Sequence, residues 1–245
     1  MNVLVLAAGG SEAYAQAGYS FPKNLVEIES KPLLQRVFQN LEPLRELGAR
    51  FHVVLRREEC QKYHTEQVVK LLDPSAHIIL SPSNTSGAAC TALLAAEKIN
   101  TDEPLLIANG DQLLIHDHVA LVREFLENDW DGGIPVFDDV HPRYSFVKLG
   151  SDGFVVEAAE KRPISRNASA GRYFFRRGST FVRCAMRMIL KDAQVEGAFY
   201  VCPSYNELVL EGGRIGVSQS PRDHYINLAS PSGLNDYINR HYGND

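Results

Sequence analysis

Short apolar runs alternate with longer amphipathic stretches through the first half of this 245-residue chain. Residues 3–7, 51–55, 77–80, 105–108 and 133–137 are brief and almost continuously apolar, as strands buried on both faces of a largely parallel sheet must be. Between the first two, Leu33, Leu34, Val37, Phe38 and Leu41 recur at helical spacing behind Pro32, a favourable first-turn residue. That stripe predicts a helix across one sheet face. Residues 58–72 and 87–98 carry similar stripes, and Val119, Val122, Phe125 and Leu126 form another after Asp117. Repeated strand–helix units of this kind predict an α/β fold with the sheet covered by helices.

The texture changes after Pro142. SFVKL, FVVEAAE and SAGRYFF are closely spaced strand-like runs, which predict a small β-rich lobe over the open edge of the sheet. A helix over 179–191, a short helix over 203–212, a strand over 214–217 and a closing helix over 231–241 complete the reading. No repeat, low-complexity tract or linker divides the chain, so residues 1–245 are expected to form a single domain.

Hydrophobic residues make up 44% of the chain and charged ones 22%, an ordinary globular balance that excludes disordered and fibrous classes. Lys and Arg number 25 against 30 Asp and Glu, giving a net charge of -5 and no broad cationic surface for a nucleic-acid backbone. The apolar opening lacks a basic leader, and no run approaches the ~20 residues of a membrane span. A cytoplasmic protein without nucleic-acid or membrane partners is expected. Cys60, Cys90, Cys184 and Cys202 lie far apart in apolar surroundings, which predicts buried thiols rather than a zinc site or disulfides.

Three segments carry candidate chemistry. Residues 6–25 take a buried strand into a small, Gly-rich loop and then Pro22-Lys23; backbone N–H groups there could cradle phosphate oxygens with Lys23 as a mobile cation, although a plain tight turn reads the same way. IANGDQLL, residues 107–114, puts Asp111 just past a strongly apolar strand, where α/β sheets place ligands. Asp111 is thus a candidate magnesium ligand or, alternatively, a helix cap, and Gly110 before it suggests close backbone approach. NTSGAACTALL, residues 84–94, leaves room for a flat base against backbone, or else serves tight helix–sheet packing. His116 and His118, flanking Asp117, read as surface histidines near a helix start rather than as a second metal site.

Taken in order, LAAG with FPKNL, then TSGAACTALL, NGDQ, EKRPISRNASAGRYFF, FYVCPSYNEL and NLASPSGL resemble the sugar-phosphate nucleotidylyltransferases over nearly the whole chain. The likeness is closest to the branch with AGYTFPK-like and GAACTALLA-like motifs in bacterial polysaccharide pathways. It implies a nucleotide-diphospho-sugar transferase (GT-A type) fold: a Rossmann-like mixed, mainly parallel sheet flanked by helices, with residues 1–137 as nucleotide-binding half and 138–245 as acceptor-binding half. The implied enzyme is a magnesium-dependent nucleotidyltransferase joining an NTP to a sugar 1-phosphate or similar phosphomonoester, with release of pyrophosphate, for surface polysaccharide. The partners are then an NTP and a phosphorylated small molecule; oligomeric state is left open, a homo-oligomer being compatible.

Carried over by motif, Ala8, Gly9, Gly10 and Gly110 would meet the nucleotide, and Lys23 would neutralise charge near the leaving pyrophosphate. Gly87, Ala88 and Thr91 would line the base site; Asp111 and Asn227 would hold magnesium. Glu160 and Lys161 would hold the acceptor's hydroxyls and attacking phosphate, with Tyr144, Ser145 and Gly171 beneath it. Lys23, Asp111 and Lys161 are the expected catalytic groups, since phosphoryl-type transfer requires positioning and charge neutralisation more than covalent chemistry.

Three segments depart from the family pattern. In its G-x-G-x-R loop, Ser11 stands at the second glycine and Ala13 at the arginine; Asn227 stands at the second metal aspartate; and Glu196-Gly197-Ala198-Phe199-Tyr200 replaces an N-G-E-F-Y-like segment. Arg143, Arg162, Arg166 and Arg172 are candidates to supply the missing cation. The rival readings are a GT-A-type glycosyltransferase, disfavoured because NGDQ offers one carboxylate where a D-x-D pair is usual, and a catalytically impaired nucleotide- or nucleotide-sugar-binding protein.

Overall fold

The computed structural model describes residues 1–82 and 84–242. Strand β1 (Asn2–Ala7) leads through the short helix α1 (Glu12–Gln16) and the hairpin β2 (Glu27–Ile28) and β3 (Lys31–Pro32) into α2 (Leu33–Leu41). Then come β4 (Arg50–Arg56), α3 (Arg57–Tyr63), α4 (Thr65–Leu72), β5 (His77–Ser81), α5 (Ala88–Leu93), α6 (Ala96–Ile99) and β6 (Leu105–Asn109). The second half runs through β7 (Gln112–Leu114), α7 (His118–Glu127), β8 (Gly132–Asp138), β9 (Ser145–Leu149), β10 (Val155–Glu160), β11 (Asn167–Ser169), β12 (Arg172–Phe175) and α8 (Gly178–Leu190). It closes with α9 (Tyr205–Leu210), β13 (Ile215–Gln219), β14 (Tyr225–Asn227) and α10 (Pro231–Tyr242).

Alternation along β1 explains the layering. Val3, Val5 and Ala7 face one core with Leu33 and Val37 of α2 and Phe125 of α7, while Leu4 and Leu6 face a second core with Phe181 of α8 and Leu208 of α9. A strand sandwiched this way must be apolar on both faces. Each large aliphatic or aromatic side chain so buried contributes about 1.5–3 kcal/mol relative to exposure.

The main sheet has the order β10-β9-β11-β8-β12-β6-β1-β4-β5, with β13 added beside β8. Strands β6, β1, β4 and β5 are mutually parallel, whereas β12 runs antiparallel to both β6 and β8. The β-rich second half is thus grafted edge-on to the parallel half through β12. Two expected long helices are each broken. The 58–72 stripe divides at His64, whose φ of 53° is left-handed; the 87–98 stripe divides at Leu94-Ala95, where the backbone N–H groups bond three residues back to Thr91 and Ala92.

Parallel register brings two strand ends level. Ala7 lies beside Leu55 and Leu6 beside Asn109, so the turns after β1, β4 and β6 open on one edge. Gly110 N–H donates to the Leu6 carbonyl at 2.9 Å, and a Cβ at Gly110 would stand 2.8 Å from the Ala7 Cα. The close approach expected at Gly110 is therefore to β1. A separate ribbon pairs β14 antiparallel to β7, with Asn227 opposite Gln112. Leu228 N–H then reaches the Asp111 carbonyl at 2.8 Å, and the Tyr14 hydroxyl donates to the Leu228 carbonyl at 2.7 Å.

Asp117 caps α7 by accepting from the Ala120 N–H at 2.9 Å, but His118 is not the surface residue expected at a helix start. It is 1% exposed because it faces the core, with Nδ1 3.0 Å from the His116 carbonyl oxygen. Burial, reinforced by Arg172, pushes its pKa down to about 3; burial likewise pushes His52 to about 4. Both imidazoles take up protons more readily unfolded, near pH 6.5, than folded, so stability falls as pH drops from about 6.5 towards 4. In urea unfolding series across that window, His118→Asn, which keeps a donor near the Nδ1 position, should flatten the fall; an unchanged slope would show that His118 is protonated in the fold.

Candidate active site

A cleft of about 420 Å³ opens over the shared carboxyl edge of β1 and β6. Gly9, Gly10 and Asp111 form its floor. Lys23, 4% exposed in a turn after the loop, places Nζ 2.6 Å from Asp111 Oδ2. A Cβ at Gly9 would come 3.1 Å from that Nζ and 3.9 Å from Oδ2. Asp111 lines the cleft, whereas Lys23 does not: its side chain is 6% exposed and its ammonium lies against Gly9. Asp111 caps no helix; it occupies the turn from β6 to β7, with its side chain 20% exposed.

The loop is braced from below by Glu59, a residue sequence inspection passes over because an acid in an amphipathic helix reads as solvent-facing. Glu59 is 7% exposed and accepts from Ser11 Oγ at 2.8 Å and Asn24 Nδ2 at 3.1 Å. Ser11 Oγ in turn accepts from the Lys23 N–H at 3.0 Å, and Asn24 Nδ2 also donates to the Ala7 carbonyl at 2.8 Å. Burial pushes the Glu59 carboxyl up, and these two hydrogen bonds oppose it. Ser11, anomalous against the family pattern, thus ties the loop to α3. Ala13 is exposed and lies outside the cleft lining.

On one side of the cleft, Ala8, Gly87, Ala88 and Thr91 form a wall with few side-chain atoms. Gly87 has φ of 109°, and a Cβ there would lie 2.4 Å from the Phe199 carbonyl oxygen. Phe199 N–H bonds to the Ser86 carbonyl and its carbonyl accepts from Ala89 N–H, which brings Tyr200 and Val201 into the lining. Thr85 and Thr91 join hydroxyls at 2.5 Å.

Tyr144, Ser145, Glu160 and Gly171 meet on the opposite side, joined by Ser169 and Tyr173, which the sequence did not single out. Glu160 is 8% exposed and accepts a short hydrogen bond from Ser145 Oγ. Burial pushes the Glu160 carboxyl up, while Ser145 and Lys161 favour its charged form. Gly171 has φ of 66°, and the space its Cβ would fill is taken by Gln112 Oε1. Lys161, by contrast, does not line the cleft. Its backbone is left-handed, φ 54°, and Nζ pairs with Glu196 and lies 5.5 Å from the Tyr200 ring centre. Gly110 is absent from the lining too, being packed on Ala7.

Of the four arginines expected to offer a cation, only Arg143 lines the cleft. Arg162 pairs with Glu157 at 2.5 Å and Arg166 with Asp138 at 2.5 Å, both in exposed pairs. Arg172 is wholly buried, donating to the Gln112 carbonyl at 2.8 Å and the Gly171 carbonyl at 3.2 Å. Burial lowers its pKa to about 10, which still leaves it charged at neutral pH. It supports the strand beside Asp111 instead of facing a ligand.

For a divalent cation, the chain offers the Asp111 carboxylate and Asn227 in the same cleft. Asn227 Oδ1 accepts from the Ala229 N–H at 2.9 Å. No cluster of three or more His, Cys, Asp or Glu able to hold a metal occurs among the described residues. One carboxylate with a neutral oxygen fits magnesium, which usually completes its shell with water and substrate phosphates. No helix among the described residues is long and apolar enough to cross a membrane.

Residues 3–175 match the model of the MobA-like NTP transferase domain. A bifunctional protein GlmU from Methanocaldococcus jannaschii is 24% identical over 215 residues, covering 80% of this chain; the chain spans about half, 48%, of that relative's length. A nucleoside-diphosphate-sugar pyrophosphorylase from Vibrio cholerae superposes with a TM-score of 0.82 at 22% identity, covering 97% of this chain and 99% of the other. The inositol-1-phosphate CTP transferase from T. maritima gives 0.74 at 16% identity, with 98% and 93% covered. These structural likenesses establish the fold.

Since Asp111 balances a buried ammonium, neither partner is a simple surface charge. Lys23→Met should lower stability by about 1–3 kcal/mol, less than the 3–5 typical of fully buried pairs because Asp111 is partly solvated. Adding Asp111→Asn should recover part of that loss in urea unfolding. Strictly additive losses would show that the pair does not couple.

Proposed function

The chain belongs to the MobA-like NTP transferase family, and from that membership we propose that it transfers a nucleoside monophosphate from an NTP to a sugar 1-phosphate or similar phosphomonoester. The observation that carries this reading is the Lys23–Asp111 pair, 2.6 Å apart under the side-chain-free Gly9, with a small-residue wall on one side and Glu160 on the other. One cleft can thus receive a triphosphate over its floor, a base against Gly87 and Ala88, and a polyhydroxylated acceptor against Ser145, Glu160 and Gly171. The activities in the names of the similar pyrophosphorylase and CTP transferase support a reaction of this class.

In the proposed reaction an acceptor phosphate oxygen bonds to the nucleotide's α-phosphorus. The bond from that phosphorus to the oxygen bridging it to the β-phosphate breaks, and pyrophosphate leaves with the electron pair. Lys23 would neutralise charge on the phosphate chain, and its buried setting would strengthen that interaction relative to water. Asp111 and Asn227 would hold magnesium, which when bound would screen the phosphates and orient them in line. Glu160 fits acceptor hydroxyls as a hydrogen-bond acceptor, with Tyr144 and Ser145 fixing the ring's position. Lys161 would reach the attacking phosphate only after leaving Glu196, a rotation its partial exposure permits. The resemblance noted from the sequence supports surface polysaccharide as the use of the product.

A matrix of common NTPs against sugar 1-phosphates and other phosphomonoesters, with magnesium present and pyrophosphate as readout, tests the reading. One productive pair is expected. Nucleotide binding without pyrophosphate release for every pair would instead identify a binding protein. For the productive pair, Asp111→Asn should lower kcat by at least about 10²-fold. Wild-type rates at limiting magnesium would remove Asp111 from the metal site.

A further inference from the structure

The loop between Gly9 and Phe21 contains no lysine or arginine, yet a guanidinium stands beside it. Arg56 ends β4 one residue past Leu55, the partner of Ala7, and pairs with Ser81 at the end of β5. It therefore rises at the same carboxyl edge as the Gly9-Gly10 turn, between that turn and the 84–87 loop, which is where α/β sheets gather ligands. Its side chain is 16% exposed. Nη1 lies 3.3 Å from Glu12 Oε1, and Nη2 donates a short hydrogen bond to Asn84 Oδ1, a cleft-lining residue.

Glu12 is the unusual member. Its side chain is 68% exposed, yet its carboxylate folds back onto Gly10, where a Cβ would lie 1.9 Å from Oε2. An oxyanion thus rests on the glycine turn that floors the cleft, held by a fixed cation. The carboxyl is kept below its usual range by its own backbone N–H and by Arg56. An exposed carboxylate gains little from such a pair and is readily exchanged, whereas a multiply charged phosphate chain gains more from the same guanidinium, in fork geometry.

We propose that Arg56 binds the phosphate chain of the nucleotide, and that the Glu12 carboxylate held against Gly10 keeps that place until the nucleotide displaces it. This rests on the nucleotide reading given above. Arg56 is then a binding residue that the sequence motif would not locate, because it comes from the second parallel strand rather than from the glycine loop. Asn84 orients the guanidinium across the gap.

Calorimetry with each common NTP and with the matching nucleoside, magnesium present, tests the exchange. Arg56→Gln should weaken NTP binding by about tenfold to a hundredfold and leave nucleoside binding unchanged. Glu12→Gln, at an exposed position where folding is not at risk, should tighten NTP binding severalfold and leave the nucleoside unaffected. Wild-type NTP affinity in either variant overturns the exchange, as does an equal loss of nucleoside and NTP binding in Arg56→Gln. Failure of the wild-type protein to bind any NTP would instead overturn the nucleotide reading, and this inference with it.

Discussion

Parallel pairing of β1 with β6 is the constraint on which the site depends. Leu6 opposite Asn109 puts the glycine turn and Asp111 at the same height, and Gly110 lets the two backbones approach closely enough for its N–H to bond to Leu6. Lys23 can then lie under Gly9 with its ammonium on Asp111. A slip of one residue would turn Leu4 and Leu6 towards α2 and move Asp111 away from the lysine; the two apolar cores prevent it.

Charges placed inside this edge each meet polar partners, although Arg172 Nε has none among the described residues. Lys23 has Asp111, Glu59 has Ser11 and Asn24, and Arg172 has carbonyl oxygens of Gly171 and Gln112. An uncompensated buried ion would cost several kcal/mol, so each partner also fixes a geometry. Glu59 fixes the glycine loop against α3, and Arg172 fixes the strand that carries Asp111 to Asn227 through the β7–β14 ribbon. The floor of the cleft is therefore held at its polar points, while the more exposed pairs Arg56–Glu12 and Lys161–Glu196 lie outside its lining.

The two walls have different origins. Gly87 is held close against Phe199 by the backbone hydrogen bonds that Phe199 makes with Ser86 and Ala89, which with Ala88 gives a surface of small residues. Ser145, Glu160 and Gly171 come from the antiparallel extension, where adjoining strands β9 and β10 bring Ser145 opposite Glu160. Parallel and antiparallel halves thus contribute chemically distinct sides to one cleft, joined through β12.

The sequence by itself determined the parallel half of the sheet, the stripe of α2, three of the four expected buried thiols (Cys60, Cys184 and Cys202, whereas Cys90 is only partly buried), and the small-residue turns around Gly9, Gly87 and Asp111. Hydrophobic periodicity and glycine placement are local properties, and a buried strand or a tight turn writes them directly into consecutive residues. Which charges meet is not local. Glu59, Arg56 and Arg172 look like ordinary polar positions of a helix or strand, and His118 like a helix-start surface residue. Only the folding of β4 beside β1, and of β12 beside β6, decided that Glu59 lies under the loop, Arg56 beside it, and Arg172 out of solvent. Tertiary structure likewise turned Lys161 towards Glu196, since the left-handed turn after β10 aims a side chain in a direction no sequence spacing records.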